Sequence, residues 1–188
     1  MRHSPANRAG AEPVPERRSR LFSWLNAWRA DELHGELLDI FVTAAAGEPM
    51  RRVAEIECMP GRGLAGDRYA EGRGHWIKTD GCEVTLVNAD DLQRAVRRSD
   101  IGLGDGQHRR NLVVSGIPLA AYRGRRVRIG MALLEFHRLR PPCGYLDRVY
   151  RPGAAKALGK GAGIGLRVLQ GGWIRVGDRV EVIDPPFG

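Results

Sequence analysis

The sequence predicts a mainly β fold, a β-barrel with a few peripheral α-helices. Two observations lead to this prediction: short segments in which apolar and polar residues alternate, and 25 glycines and 11 prolines among 188 residues. Alternation with a period of two places one face of each strand against a core, and glycine-rich turns join short strands. This length and a hydrophobic content of 43% predict one domain with an appended tail.

The N-terminal part divides into two predicted segments before the barrel domain, which is expected at 35–186. Residues 1–20 are rich in Arg, Pro, Ala and Glu without apolar periodicity, which predicts a disordered tail. Residues 21–34 begin with crowded leucines and aromatics, including Trp24 and Trp28, which predict an amphipathic helical segment. Packing on the domain and an interfacial or oligomer contact are both open for this segment.

Alternating segments predict the first strands at 37–46, 52–59 and 83–87. A helix is predicted next, because Asn88 suits an N-cap, acidic residues follow in the first turn, and Arg97 and Arg98 near its end interact favourably with the helix dipole.

Six further strands are predicted at 112–114, 126–129, 132–139, 166–169, 173–176 and 180–183. Gly130 and Gly177 each stand at the turn of a similar predicted β-hairpin. A short helix is expected at 145–150, ending before Pro152.

The three cysteines differ in their surroundings. Cys58 and Cys82 fall on the apolar faces of predicted strands, where cysteine is a small hydrophobe. Cys143 follows two prolines and precedes Gly144, which predicts a thiol presented on a constrained turn. An odd count without a Cys-x-x-Cys pair argues against a disulfide scaffold and predicts a reducing, cytoplasmic location.

The net charge of +8 and a pI of about 10.1 favour anionic partners, whether nucleic acid, anionic lipid or a phosphorylated small molecule. Solvated surface charge is the alternative for any single arginine pair. No window has the apolar length of a membrane span, and no signal-peptide pattern is present.

Two loops contain candidate anion-binding residues. The glycine-rich loop 61–69 includes Asp67 and Arg68, and its backbone can approach an anion closely, although a structural turn also fits. In the loop 106–111, Arg109 and Arg110 suit forked hydrogen bonds to phosphate or carboxylate, and Asn111 suits the edge of a heterocycle. A solvated basic loop explains the second pattern equally well.

The third candidate loop contains Cys143. Arg138 and Arg140 precede it and favour a thiolate, the form that attacks electrophiles and binds soft metals. His137 fits a strand histidine better than a proton donor. Neither structural-zinc spacing nor a Gly-x-Ser-x-Gly nucleophile elbow occurs in the sequence.

Four stretches together make the chain similar to the MOSC-domain family, named for the C-terminal domain of molybdenum cofactor sulfurases. In order they are 63–69, 83–87 with the following helix, 109–117 with 124–130, and 140–143 with 171–178. The resemblance covers about 35–183 and implies a β-barrel whose functional residue is a loop cysteine.

The resemblance implies that Cys143 is catalytic, either as a ligand of molybdenum in a pterin cofactor (molybdopterin) or as a carrier of sulfur. It implies an anionic-cofactor site that we assign to Asp67, Arg68, Arg109, Arg110, Asn111 and Arg138. Related enzymes reduce N-hydroxylated bases and amidoximes.

The chain lacks the aminotransferase-like domain of full sulfurases, so no pyridoxal phosphate site is expected. Three scattered cysteines cannot ligate a [2Fe–2S] cluster, so a separate electron-donor or sulfur-donor protein is expected. The leading hypothesis is a molybdenum-dependent oxidoreductase. A persulfide carrier is the alternative, and a basic nucleic-acid-binding barrel is the third and least supported, because few aromatic residues lie near the arginine pairs.

Overall fold

The structure, a computed structural model, describes residues 34–76 and 82–183. The predicted tail 1–20 lies outside these residues, and so does the predicted helical segment 21–34 except for its last residue, His34, which begins a strand. The prediction of a mainly β fold is confirmed. The described strands are β1 (His34–Val42), β2 (Arg51–Val53), β3 (Glu55–Met59), β4 (Gly63–Leu64), β5 (Val84–Asn88), β6 (Leu112–Ser115), β7 (Arg126–Ile129), β8 (Ala132–Leu139), β9 (Ile164–Gln170), β10 (Gly172–Arg175) and β11 (Arg179–Ile183).

Seven strands close into a barrel in the order β11-β7-β8-β9-β5-β6-β1, because β1 pairs with β11 as well as with β6. The β5–β6 pair is parallel, and the other pairs of this sheet are antiparallel. A parallel pair needs a crossover connection, and α1 (Ala89–Ser99) supplies it. β2 extends the sheet beyond β1, and β10, β3 and β4 form a second, smaller sheet.

The predicted helix after β5 is confirmed. Asn88 Oδ1 accepts hydrogen bonds from the backbone N–H groups of Asp90 (2.8 Å) and Asp91 (3.3 Å), which is the arrangement of an N-cap. Two shorter helices follow β8: α2 (Gly144–Val149), within one residue of its predicted position, and α3 (Ala154–Leu158), which the sequence analysis did not predict. None of the helices in the described ranges is long and apolar enough to cross a membrane.

The prediction of one strand at 52–59 is wrong, because two strands occupy this stretch. The chain leaves the barrel sheet at Ala54, so that β2 pairs with β1 whereas β3 pairs with β10 in the second sheet. The alternation of apolar and polar residues changes phase at this break, because Val53 and Ala54 are consecutive apolar residues between Arg52 and Glu55. The prediction of one continuous strand overlooked this interruption.

The core has two parts. One apolar cluster fills the barrel, and a second lies where the strand residues Phe41, Val87 and Val113 pack against the helices. Leu92 of α1, Leu146 of α2 and Leu158 of α3 belong to this second cluster. Each such buried side chain contributes roughly 1.5–3 kcal/mol, so this cluster holds the short helices on the barrel.

Candidate functional site

A cavity of about 400 Å³ brings the three candidate loops together. The glycine-rich loop contributes Arg68, the second loop contributes Arg109 and Arg110, and the third contributes Arg138 and Cys143. Asp67 and Asn111 lie behind this lining. The assignment of six residues to cofactor binding stays a prediction, but four of them line one cavity together with Cys143.

Cys143 differs from the other two cysteines as its sequence context predicted. Its side chain is half-exposed, whereas Cys58 and Cys82 are each 1% exposed. Burial, with a smaller contribution from Glu57, raises the pKa of Cys58 to about 12 and makes that thiol unreactive. The two prolines before Cys143 carry the chain from the end of β8 to the start of α2, so the thiol lies on the cavity wall.

Arg109 has buried donors without partners. Its backbone is left-handed, with φ of 60°, which is uncommon for a residue other than glycine. Its side chain is 9% exposed, and Nη1 donates to the carbonyl oxygen of Glu48. Nε and Nη2 have no hydrogen-bond partner in the described part of the chain. Burial and the nearby Arg68 lower its pKa, so the charge is held at a cost that a bound anion would offset.

Arg110 is fixed between the cavity and the segment after α3. Its Nε donates to the carbonyl oxygen of Ala162 at 2.6 Å, and Nη1 donates to those of His108 and Arg109. Burial, followed by repulsion from Arg140 and then Arg68, lowers its pKa to about 10, so it stays cationic at neutral pH.

Asp67 orients Arg68 instead of lining the cavity. It is fully buried, and its Oδ1 accepts from the backbone N–H of Thr43 (3.1 Å) and from Nη1 of Arg68 (3.2 Å). Nη2 of Arg68 in turn donates to the carbonyl oxygen of Arg109 at 3.4 Å. The first two loops are therefore connected through a buried ion pair.

Asn111 lies beneath the arginines and is fully buried. Its Oδ1 accepts from the backbone N–H (3.1 Å) and the hydroxyl (2.8 Å) of Thr85, and its Nδ2 donates to the carbonyl oxygen of Phe41 at 3.1 Å. These bonds join β1, β5 and the start of β6. The side chain predicted to contact a heterocycle therefore positions the arginine loop.

Arg138 and its neighbour His137 in β8 have different surroundings, at a place where the pairing of β8 with β9 shifts register. Arg138 lines the cavity, and its Nε is buried without a hydrogen-bond partner among the described residues. His137 is absent from the cavity lining, and its Nδ1 lies 3.5 Å from Sγ of Cys82. This placement fits the interpretation of His137 as a strand histidine.

An aromatic wall of the cavity was not among the predicted site residues. His75 stacks on Tyr145 with ring centroids 3.9 Å apart and an interplanar angle of 10°, and Trp76 meets His75 edge-on. The hydroxyl of Tyr145 is buried without a hydrogen-bond partner in the ranges described. Tyr69 accepts a 3.5 Å hydrogen bond from Arg140. Proximity to the arginine and cysteine motifs was the available signal for Tyr69 and Tyr145, whereas His75 and Trp76 lie outside any motif.

The lining gives the cavity a consistent chemistry. Among the described residues that line it, five are arginines and none is a carboxylate. No cluster of three or more His, Cys, Asp or Glu side chains in the described ranges is arranged to hold a metal ion. The donors suit an anion with a planar part, and a metal here would take most of its ligands from a bound group and one from Cys143.

Comparisons with known proteins agree on the fold. The structure is similar to the YUAD protein from Bacillus subtilis (TM-score 0.67, 17% identity, covering 79% of this chain and 95% of that one). It is also similar to YiiM from Geobacillus stearothermophilus, with a TM-score of 0.60 and 20% identity, covering 82% of this chain and 77% of that one. For YiiM from Escherichia coli the TM-score is 0.61 and the identity 18%, covering 82% of this chain and 72% of that one. No curated protein sequence gives a significant match. The family model described as the MOSC domain matches residues 77–181, more than half of the chain.

Proposed function

The chain belongs to the MOSC-domain family, and we propose that its cavity binds a molybdenum–pterin cofactor through Cys143 and the surrounding arginines. The observation that carries this proposal is Arg109, a buried cation whose Nε and Nη2 lack partners among the described residues and whose side chain lines the same cavity as the one half-exposed cysteine. Buried unpaired donors are rare in folded proteins and call for a ligand that pairs them.

The residues present fit this group. Guanidinium groups bind phosphate through forked hydrogen bonds, so Arg109 and Arg110 would pair with the cofactor phosphate while Arg68 and Arg138 add positive field. The thiolate of Cys143 is a soft ligand suited to molybdenum. The aromatic wall at Tyr145 and His75 offers flat apolar surface beside these charges.

The proposed reaction class is reduction of an N-hydroxylated substrate. R–NHOH takes up two electrons and two protons and gives R–NH₂ and water. The cofactor, when bound, supplies the two-electron redox couple; the protein supplies binding and orientation. Tyr145 Oη is a hydrogen-bond donor on the cavity wall, and the arginines stabilise negative charge on whatever occupies the cavity. A reducing, cytoplasmic location is part of the proposal, because the thiol of Cys143 has to stay unoxidised.

Metal and pterin analysis of full-length protein, purified from cells supplied with molybdate, tests the proposal. We expect wild-type protein to carry molybdenum and pterin together. Cys143→Ser should lose most of the molybdenum, and Cys58→Ala, which removes a buried thiol outside the cavity, should keep it. Full molybdenum occupancy in Cys143→Ser would refute the role of Cys143.

The half-exposed thiol also favours a second candidate, a sulfur carrier. The Cys143 thiolate would attack the outer sulfur of a donor protein's persulfide, forming a new S–S bond at Cys143 and releasing the donor thiolate. A mass increase of one sulfur on the Cys143 peptide, in protein without molybdenum, would favour this function over the first.

A further inference from the structure

A groove of about 670 Å³ lies on the helical side of the molecule, outside the cavity. Its walls are α1, α3 and the turn Gly159–Gly161. Four cationic side chains line it: Arg94, Arg98, Lys156 and Lys160. Among the described residues that line the groove, Asp91 is the one acidic residue, and it is paired with Arg94. The groove is therefore strongly basic, and all four cations are exposed.

The groove and the cavity share a wall. Gly161 lines the groove, and the carbonyl oxygen of the next residue, Ala162, accepts the 2.6 Å hydrogen bond from Arg110 of the cavity. Leu146 lines the cavity and Leu158 lines the groove, and both belong to one apolar cluster. A molecule that contacts Gly161 in the groove would therefore lie beside the backbone carbonyl that binds Arg110 of the cavity.

The exposure of the groove cations indicates the kind of ligand. The cavity arginines are held in place by hydrogen bonds and burial, as suits a small anion, whereas exposed lysines and arginines lose little solvation and mainly steer a charged partner into position. No aromatic residue lines the groove in the described part of the chain, so single-stranded nucleic acid would find no stacking platform there. An acidic protein surface fits best.

We propose that this basic groove docks an acidic surface of the protein that supplies electrons to the cavity. This inference rests on the proposed function, which consumes two electrons per substrate and therefore needs an electron donor. Docking here places the donor against the segment that leads from Cys143 through α2 and α3.

A binding measurement tests the groove independently of the cofactor. Fluorescently labelled poly-L-glutamate serves as the acidic probe. Its binding to the full-length double variant Lys156→Glu/Lys160→Glu is compared with its binding to a control, Arg123→Glu/Arg128→Glu. The control makes the same change of charge at exposed residues that line neither the cavity nor the groove. We expect about tenfold weaker binding for the groove variant and about twofold or less for the control, with both effects reduced at high salt. Equal losses in the two variants would overturn the proposal.

Lysine footprinting locates the probe. The chain has three lysines, Lys78, Lys156 and Lys160, so acetylation by an N-hydroxysuccinimide ester gives few sites to follow. Poly-L-glutamate should protect Lys156 and Lys160. Stronger protection by pyrophosphate or by an oligonucleotide than by poly-L-glutamate would assign the groove to another ligand and overturn the proposal.

Activity assays separate a failure of this inference from a failure of the proposed function. Reduction of an N-hydroxylated test compound is measured with reduced methyl viologen and with an acidic ferredoxin as donors. We expect the groove variant to keep the viologen rate and to lose about tenfold in kcat/KM for the ferredoxin. No viologen activity in wild-type protein would count against the proposed function, whereas equal ferredoxin rates in groove and control variants would count against the docking site.

Discussion

Two groups of cationic side chains, one lining the cavity and one lining the groove, differ in burial. Arg109 and Arg110 face the cavity, where burial lowers the pKa of each. Lys156 and Lys160 face the groove and are exposed. A positive charge therefore has a different effect in each place. The buried cations destabilise the fold when no anion is bound, whereas the exposed ones affect solubility and association and hardly change the free energy of unfolding.

Because His108 is buried beside the cavity arginines, the free energy of unfolding should fall at acid pH. This residue is fully buried beneath the arginines, and its Nδ1 accepts a 3.0 Å hydrogen bond from the backbone N–H of Arg110. Burial, followed by the charges of Arg110 and Arg109, lowers its pKa from 6.5 to about 3. Between these pH values the unfolded chain binds a proton that the folded chain does not, so stability falls as pH falls.

Between pH 6.5 and about 3, protonation linked to His108 should lower the free energy of unfolding by roughly 4–5 kcal/mol in total. Urea unfolding at several pH values measures it. His108→Gln should flatten the pH dependence, whereas the control His34→Gln should leave it in place. A wild-type stability that stays constant between pH 6.5 and 4 would contradict the account of His108.

Removing a buried cation should have opposite effects on binding and on stability. Arg109→Met should weaken cofactor retention by at least about 30-fold, because truncating one partner of a buried charge pair typically costs 2–5 kcal/mol. The same variant, free of cofactor, should unfold at a higher temperature than cofactor-free wild type, because an unpaired buried charge is gone. Arg98→Met in the groove should change neither quantity. A fall in melting temperature for cofactor-free Arg109→Met would mean that the charge is satisfied without a ligand.

A smaller effect is expected at Tyr145. Tyr145→Phe removes the hydroxyl that lacks a partner among the described residues and keeps the ring stacked on His75. The loss in affinity for the bound ligand should be about 1 kcal/mol, or roughly fivefold, with stability unchanged or slightly raised. Cofactor release rates followed by pterin fluorescence measure it; a marked loss of stability would show that the hydroxyl has a structural partner.

The smallest effect on stability is expected for the exposed groove cations. Lys160→Ala should change the free energy of unfolding by less than about 0.5 kcal/mol, because it removes an exposed charge without an ion pair among the described residues. A loss above about 1 kcal/mol would remove the distinction between the two groups of cations.

The fold was largely predictable because its local signals agree with its tertiary contacts. Gly130 lies at the tight turn between β7 and β8, with φ of 50°, and Asn88 caps α1 as its sequence position indicated. The adjacent apolar residues Val53 and Ala54 interrupt the alternation at the break, but which sheet each strand joins depends on distant partners and was not predictable. α3 was missed because its five residues are too short for helical periodicity to appear.

The site was predictable in its charges and less so in its geometry. The sequence indicated Cys143 and the arginines, because their motifs are local. It did not separate Arg109, which lines the cavity, from Asn111, whose amide is used by Thr85 and Phe41. The direction in which each side chain points is set by packing between loops that are far apart in sequence. The hydrogen bonds that Asp67 accepts from Thr43 and Arg68 are a further example.

The most direct test of the central claim is X-ray absorption at the molybdenum edge, which counts the sulfur atoms bound to the metal in purified protein. The account predicts one sulfur fewer in Cys143→Ser than in wild type or Cys58→Ala, for the molybdenum that remains bound. An identical sulfur count in wild type and Cys143→Ser would contradict it.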